Sequence, residues 1–189
     1  MHRRMAVIAL GLGSLIPQPV LAQTDASTVD WSDARFAARF EAFDWLIGEW
    51  QGYGQFSDRT GYIHKRYSYD VAGMYFVERT LDMFPPPQPS TEFEVHQDFT
   101  VFFRDNLTGA LSANGYYVES FVTDAAVTVA GGGDTFVVES RTIHNGPPGM
   151  RTRFTYTRTG EDDFTLHFEL AGPAEEYSEI EVSRFRRIR

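Results

Sequence analysis

The sequence contains no cysteine. That absence excludes disulfides, thiolate nucleophiles, Cys-ligated zinc and iron–sulfur clusters together, and leaves stability to packing and hydrogen bonds. Basic residues are also few: 17 Lys and Arg against 26 Asp and Glu give a formal charge of −9. A surface of that sign repels phosphate backbones and anionic headgroups, so no nucleic-acid partner is expected. The basic cluster Arg184, Arg186, Arg187 and Arg189 reads as a solvated last strand rather than a binding patch. Histidine is sparse and scattered. His64, His96, His144 and His167 lie on different segments without His-x-His or His-Glu-x-x-His spacing, and no metal site is predicted. There is no Gly-x-Ser-x-Gly elbow, and no Gly-Lys-Ser/Thr follows the glycines at 52 and 54.

The first residues read as a leader. Met1-His2-Arg3-Arg4 is a short basic region, an apolar stretch runs from Met5 to Ile16, and Val20-Leu21-Ala22 places small residues for cleavage. The apolar run falls short of the ~20 residues that cross a bilayer. A signal peptide over 1–22 is expected, with a linker over 23–30 and one domain over 31–189. Export to the periplasm or outside the cell follows, with no membrane anchor after processing; Arg3-Arg4 leaves general and twin-arginine export both open. Removing residues 1–22 takes away two arginines and no acid, moving the charge from −9 to −11.

Aromatic residues are abundant, at 15% with 16 Phe and 9 Tyr, and they suit a pleated, half-buried surface. Trp31 to Phe43 is the one helical pattern: Ser32 can cap it, and Phe36, Phe40 and Phe43 share a face. From Trp45 onward the period is two, with turn signals about every dozen residues. About ten strands result, the first near Leu46–Phe56 and the last near Tyr177–Arg187. Phe164, Leu166, Phe168 and Leu170 make the clearest apolar face; Phe93, Val95, Phe99, Val101 and Phe103 make a similar one. Short hairpin turns and no intervening helix predict an all-β, antiparallel up-and-down barrel, closed so that no edge is exposed. In such a meander alternate links share an end. The longer, mostly Pro-containing links (57–61, 84–91, 144–149 and 171–176) would gather at one end and the tight glycine turns at the other, as in a cup with a mouth.

Phe43-Asp44-Trp45-Leu46-Ile47-Gly48-Glu49-Trp50-Gln51-Gly52-Tyr53-Gly54 carries a resemblance. Gly-x-Trp at the opening of the first strand, after a short helix, resembles the calycin superfamily. The fuller Leu-Ile-Gly-x-Trp-x-Gly-x-Gly is similar to the haem-binding-like, nitrobindin-type barrels and to related bacterial barrels of unknown function. Tyr67-x-Tyr69 and the basic strand Ser183–Arg187 belong to the same likeness. It implies that Gly48 and Trp50 form the barrel base and that an arginine of the last strand, Arg184 or Arg186, covers the Trp50 ring. It also implies a haem-ligating histidine next to the final strand, but Tyr177 to Val182 contains none. His167 lies opposite the Phe164/Leu166/Phe168 face, pointing to solvent if that face is the interior. No cofactor is therefore predicted, and haem stays as the alternative the likeness raises.

These features predict an exported barrel that binds a small apolar molecule, with no catalytic constellation evident. Expected contacts are Phe56, Tyr62, Tyr75, Met83 and Phe84 near the mouth. His144 is placed in a Pro/Gly loop there, and His96 either on the outer face or in a polar lining with Glu94, Asp98 and Thr100. Two other readings stay open. One is a haem-dependent or isomerase-like enzyme in the same cup. The other is an interaction module presenting Phe84-Pro85-Pro86-Pro87-Gln88-Pro89 as a preformed polyproline element.

Overall fold

Alternating side chains from Gly48 to Arg187 form one continuous antiparallel sheet that closes on itself. The structure, a computed structural model, describes residues 40–56, 59–86, 88–105 and 108–189. The expected leader, the linker and most of the expected helix, with Ser32 and Phe36, lie outside the described residues. Within them, Phe40 precedes a single 3-10 turn over Glu41–Leu46 where helix was expected as far as Phe43.

The ten strands are β1 (Gly48–Phe56), β2 (Arg59–Asp70), β3 (Tyr75–Phe84), β4 (Glu94–Arg104), β5 (Leu111–Tyr116), β6 (Val122–Ala130), β7 (Thr135–His144), β8 (Arg151–Arg158), β9 (Asp163–Ala171) and β10 (Ser178–Arg187). Each pairs with its sequence neighbour, and β1 also pairs with β10, which closes the barrel and removes both edges. The reversal between β5 and β6 falls at Tyr117 to Phe121, where the Tyr117 amide donates to Phe121 O at 3.1 Å and Ser120 takes a positive φ of 67°.

One end of the barrel is solid. Phe40, Phe43 and Leu46 of the turn segment are buried against Trp50, Phe76, Phe102 and Phe136. The rings meet edge-on or stacked: Phe43 and Phe136 at 4.8 Å, Trp50 and Phe164 at 4.8 Å, Phe164 and Phe185 at 4.5 Å. Each such buried side chain is worth about 1.5–3 kcal/mol against exposure, so this plug carries much of the stability. Trp45 Nε1 donates to Gly133 O at 3.0 Å, tying the plug to the triple-glycine turn between β6 and β7. Gly48, at φ 122°, passes so close to the C-terminal residue that an added Cβ would collide with the Arg189 carbonyl.

The arginine that covers Trp50 is Arg187, its guanidinium carbon 4.2 Å from the ring centroid, and not Arg184 or Arg186. The reason is strand parity. Ser183 and Phe185 point inward on β10, so Arg184 and Arg186 are exposed, the latter pairing with Asp163 at 3.2 Å. Arg187, in phase with Ser183 and Phe185, also donates to Trp45 O at 2.5 Å, to Ile47 O and to Asp162 Oδ1 at 2.9 Å, so it locks the base at the end of the strand.

Candidate functional site

Above the plug the barrel holds a cavity of about 440 Å³ that extends to Phe56, Phe84 and Phe121 at the opposite end. This is the end of the links from β3 to β4, β7 to β8 and β9 to β10, and its two sides differ in chemistry. Strands β7 to β9 contribute Val138, Phe154, Leu166, Phe168 and Leu170, with Phe154 and Phe168 stacked at 4.7 Å. Strands β2 to β4 contribute Lys65, Glu78, Thr80, Asp82, His96 and Asp98.

Inward parity explains the polar wall. On β3, Phe76, Glu78, Thr80, Asp82 and Phe84 alternate on one face, so two anchoring phenylalanines carry the three polar residues between them into the barrel. On β4 the inward residues are Glu94, His96, Asp98, Thr100 and Phe102. The apolar alternation Phe93, Val95, Phe99, Val101, Phe103 is therefore the outer face, with Phe93 62% and Val95 45% exposed. Register decides between the two readings of the His96 face: Phe76 pairs with Phe102, which places even-numbered β4 residues inside, as the polar lining.

Deep in the cavity, Lys65 Nζ donates to Glu78 Oε1 at 2.7 Å and to Thr80 Oγ1 at 2.8 Å. Tyr156 OH donates to the other Glu78 oxygen at 2.9 Å. Burial alone would lower the Lys65 pKa, but the Glu78 carboxylate and the charges of Asp82 and Asp98 together outweigh it and hold the ammonium above its ordinary range. Burial would likewise raise Glu78, yet the Lys65 charge and hydrogen bond, joined by Tyr156, hold it below the usual carboxylate range. The pair is thus a charged, satisfied network that fixes this wall.

Asp82 is different. Burial, with repulsion from Glu181 and Asp98, pushes its carboxyl from 3.8 up to about 7, against opposing pulls from Lys65 and His96. Its Oδ1 is shielded and meets no hydrogen-bond donor among the described residues. Asp98 is also raised by burial, although the Val118 amide donates to its Oδ1 at 3.2 Å. Nearer the mouth, His96 is held between Glu94 at 3.0 Å and Glu119 at 3.1 Å. Arg59 pairs with Glu94 at 2.8 Å, donates to Pro85 O at 3.1 Å and lies over Phe84. That contact fastens the start of the proline-rich link to the rim.

Of the expected contacts, Phe56, Phe84 and His96 line the cavity. Tyr62, Tyr75, Met83 and His144 do not. Ile63, Lys65 and Tyr67 take the inward positions of β2, which turns Tyr62 out against Tyr53 at 5.9 Å. Tyr75 and Met83 are odd-numbered on a strand whose even positions face in, and Tyr75, 38% exposed, lies at the plugged end. His144 is exposed at the last position of β7. His167 points outward, as its alternation implies, and pairs with Glu179 at 2.8 Å. Arg153 pairs with Glu169 on β9, through two bonds of 2.6 Å.

The cavity's histidine is not placed to ligate haem. His96 is the one histidine on the cavity among the described residues, and carboxylates face both of its ring nitrogens, leaving neither for an iron. Lys65, Glu78 and Asp82 line the cavity although the apolar patterning passes over them, while Asp98 takes the polar-lining position, one of the two readings of the His96 face. The signal for the β3 pair was present: charged residues in phase with phenylalanines on the same strand.

No family model matches the sequence, and comparison with curated proteins finds no match. Solved structures do match in fold. Rv2717c from M. tuberculosis aligns with a TM-score of 0.56 at 12% identity, over 80% of this chain and 98% of that one. The S-type phycobiliprotein lyase CPES from Guillardia theta aligns with a TM-score of 0.50 at 8% identity, over 79% of this chain and 92% of that one. The chain therefore shares a barrel fold with these proteins, here in the closed ten-stranded antiparallel form.

Proposed function

We propose that this protein is an exported binding barrel that holds a small, largely apolar molecule in its cup. The observation that carries the reading is the cavity of about 440 Å³ with an aromatic and aliphatic wall facing a few fixed polar groups. Small-molecule sites have this size and composition, and barrel mouths are a favoured place for them. The solid base supports the same reading, because a packed plug lets the other half of the barrel stay open without collapsing. Export rests on the basic, apolar and small-residue order of residues 1–22.

Native mass spectrometry of the protein purified from its own compartment tests this, with an absorbance spectrum on the same sample. Extra mass that leaves on denaturation is the expected result. An unliganded mass, together with no displaceable binding of an apolar fluorescent probe, refutes the reading. A Soret band would overturn the argument from His96.

A further inference from the structure

We infer that the molecule in the cup carries a positively charged amine, seated among Asp82, Asp98 and Glu181, with its apolar body against Phe154, Phe168 and Leu170. The inference rests on the binding reading above and deepens it by naming the ligand class.

The argument is one of charge and place. Lys65 is committed to Glu78 and Thr80, and Arg59 to Glu94 and the Pro85 carbonyl. His96 is shared between Glu94 and Glu119. Asp82, Asp98 and Glu181 form no ion pair with a cationic side chain among the described residues, although all three line the cavity. Register brings the first two together: Asp82 stands opposite His96 and Asp98 opposite Thr80, so the carboxylates are diagonal neighbours on the inward face. Glu181 reaches the same region from β10 because Gly54 has no side chain in its way; a Cβ there would strike its Oε1.

The second observation is the unmet oxygen of Asp82, which is closed to water and receives no donor. A carboxyl left in that condition gains from a cation brought into the cavity beside it. A bare metal ion would leave the apolar wall uncovered. Among the described residues, moreover, no His, Asp and Glu group has the arrangement of a metal site. An organic ammonium satisfies both walls at once.

Binding and protonation are then coupled. The groups that face Asp82 are Lys65 from β2, His96 and Asp98 from β4, and Glu181 from β10. A cation added among them favours the ionised form of Asp82, so an amine entering at pH 7 expels a proton.

Isothermal titration of the purified protein with octylamine, octanol and octanoate at pH 7, in two buffers of different ionisation heat, tests this. Octylamine is expected to bind about tenfold more tightly than octanol, with octanoate weakest and proton release seen for the amine alone. In Asp82→Asn with Asp98→Asn, the ratio of octylamine to octanol affinity should fall close to one, and proton release should vanish. Should that pair fail to fold, Asp82→Asn alone must lower the ratio and abolish the release. Octanol or octanoate binding as tightly as octylamine overturns the amine assignment and leaves the binding reading standing. Binding of none of the three overturns both.

Discussion

Replacing Asp82 by Asn should stabilise the protein, and by more as the pH rises. Burial, with Glu181 and Asp98 nearby, raises the Asp82 carboxyl from 3.8 in the unfolded chain to about 7 in the folded one. The folded state therefore keeps a proton that the unfolded chain gives up near pH 4. The stability from that retained proton is complete below the unfolded value and is lost as the pH climbs through the folded one. Each unit of the interval is worth about 1.4 kcal/mol, so the two units between pH 5 and pH 7 amount to about 2–3 kcal/mol. Asparagine does not titrate, and it also relieves Asp98 and Glu181 of a neighbouring charge. Urea unfolding of both proteins at pH 5, 6, 7 and 8, followed by the fluorescence of Trp45 and Trp50 in the base, gives the difference directly. The advantage of Asp82→Asn should widen by about 2–3 kcal/mol between pH 5 and pH 8, or about 1–2 M in urea midpoint. A difference that is constant with pH, or that narrows, would refute the placement of Asp82 in a site hostile to its charge.

Lys65→Met should cost about 3–5 kcal/mol in thermal unfolding, since Glu78 is left buried without its cation; adding Glu78→Leu should recover most of it, and a single-variant loss below about 1 kcal/mol would contradict the network. Arg187→Lys should cost about 1–3 kcal/mol by giving up its fork of carbonyl bonds and its flat contact with Trp50. Arg184→Ala, on the exposed face of the same strand, should stay within about 0.5 kcal/mol, so urea midpoints that rank the two the other way would reverse the parity of β10. Gly61→Ala puts a Cβ 2.5 Å from the Phe84 ring; the resulting overpacking should cost about 1–3 kcal/mol in the same assay, and an unchanged midpoint would mean that Phe84 does not sit over Gly61.

The barrel is legible in the sequence because strands, turns and closure are local or nearly so. Ten strands are present as alternation implies, but the links sort by end only in part: β2 starts at Arg59, which shortens the link expected over 57–61, and the β4–β5 link at the plugged end is as long as those after β7 and β9. What alternation cannot say is which face is inside. On β9 the apolar face is the interior, and Phe164 and Leu166 fall where expected. On β4 the same logic fails, because the outer face there is apolar: Phe99 packs on Tyr116 and beneath Arg79, and Met83 pairs with Val95. The rule that the interior is the apolar side assumes a core, and this stretch of interior is a lined cavity. Of the residues expected near the mouth, Phe56, Phe84 and His96 line the cavity; Lys65 and Asp82 line it too but are not legible in the sequence, because charged residues on a strand ordinarily mark its wet face.

Why the molecule keeps such a wall follows from how its stability is distributed. The base buries Trp50, Phe43, Phe76, Phe102 and Phe164 almost completely, and Arg187 closes it. The other half keeps a carboxyl that stands uncomfortably in its surroundings and a carboxylate–ammonium pair that apolar residues could replace with little loss. A sequence selected for stability alone would fill the cavity and neutralise Asp82, and most proteins have such gains within reach. Strain of this kind is tolerated where a function uses it, and at Asp82 it lies on a cavity wall opposite an apolar surface suited to a ligand's body. A ligand that neutralised Asp82 would return part of that stability on binding, so the unliganded protein is the state in which the cost of the site is exposed.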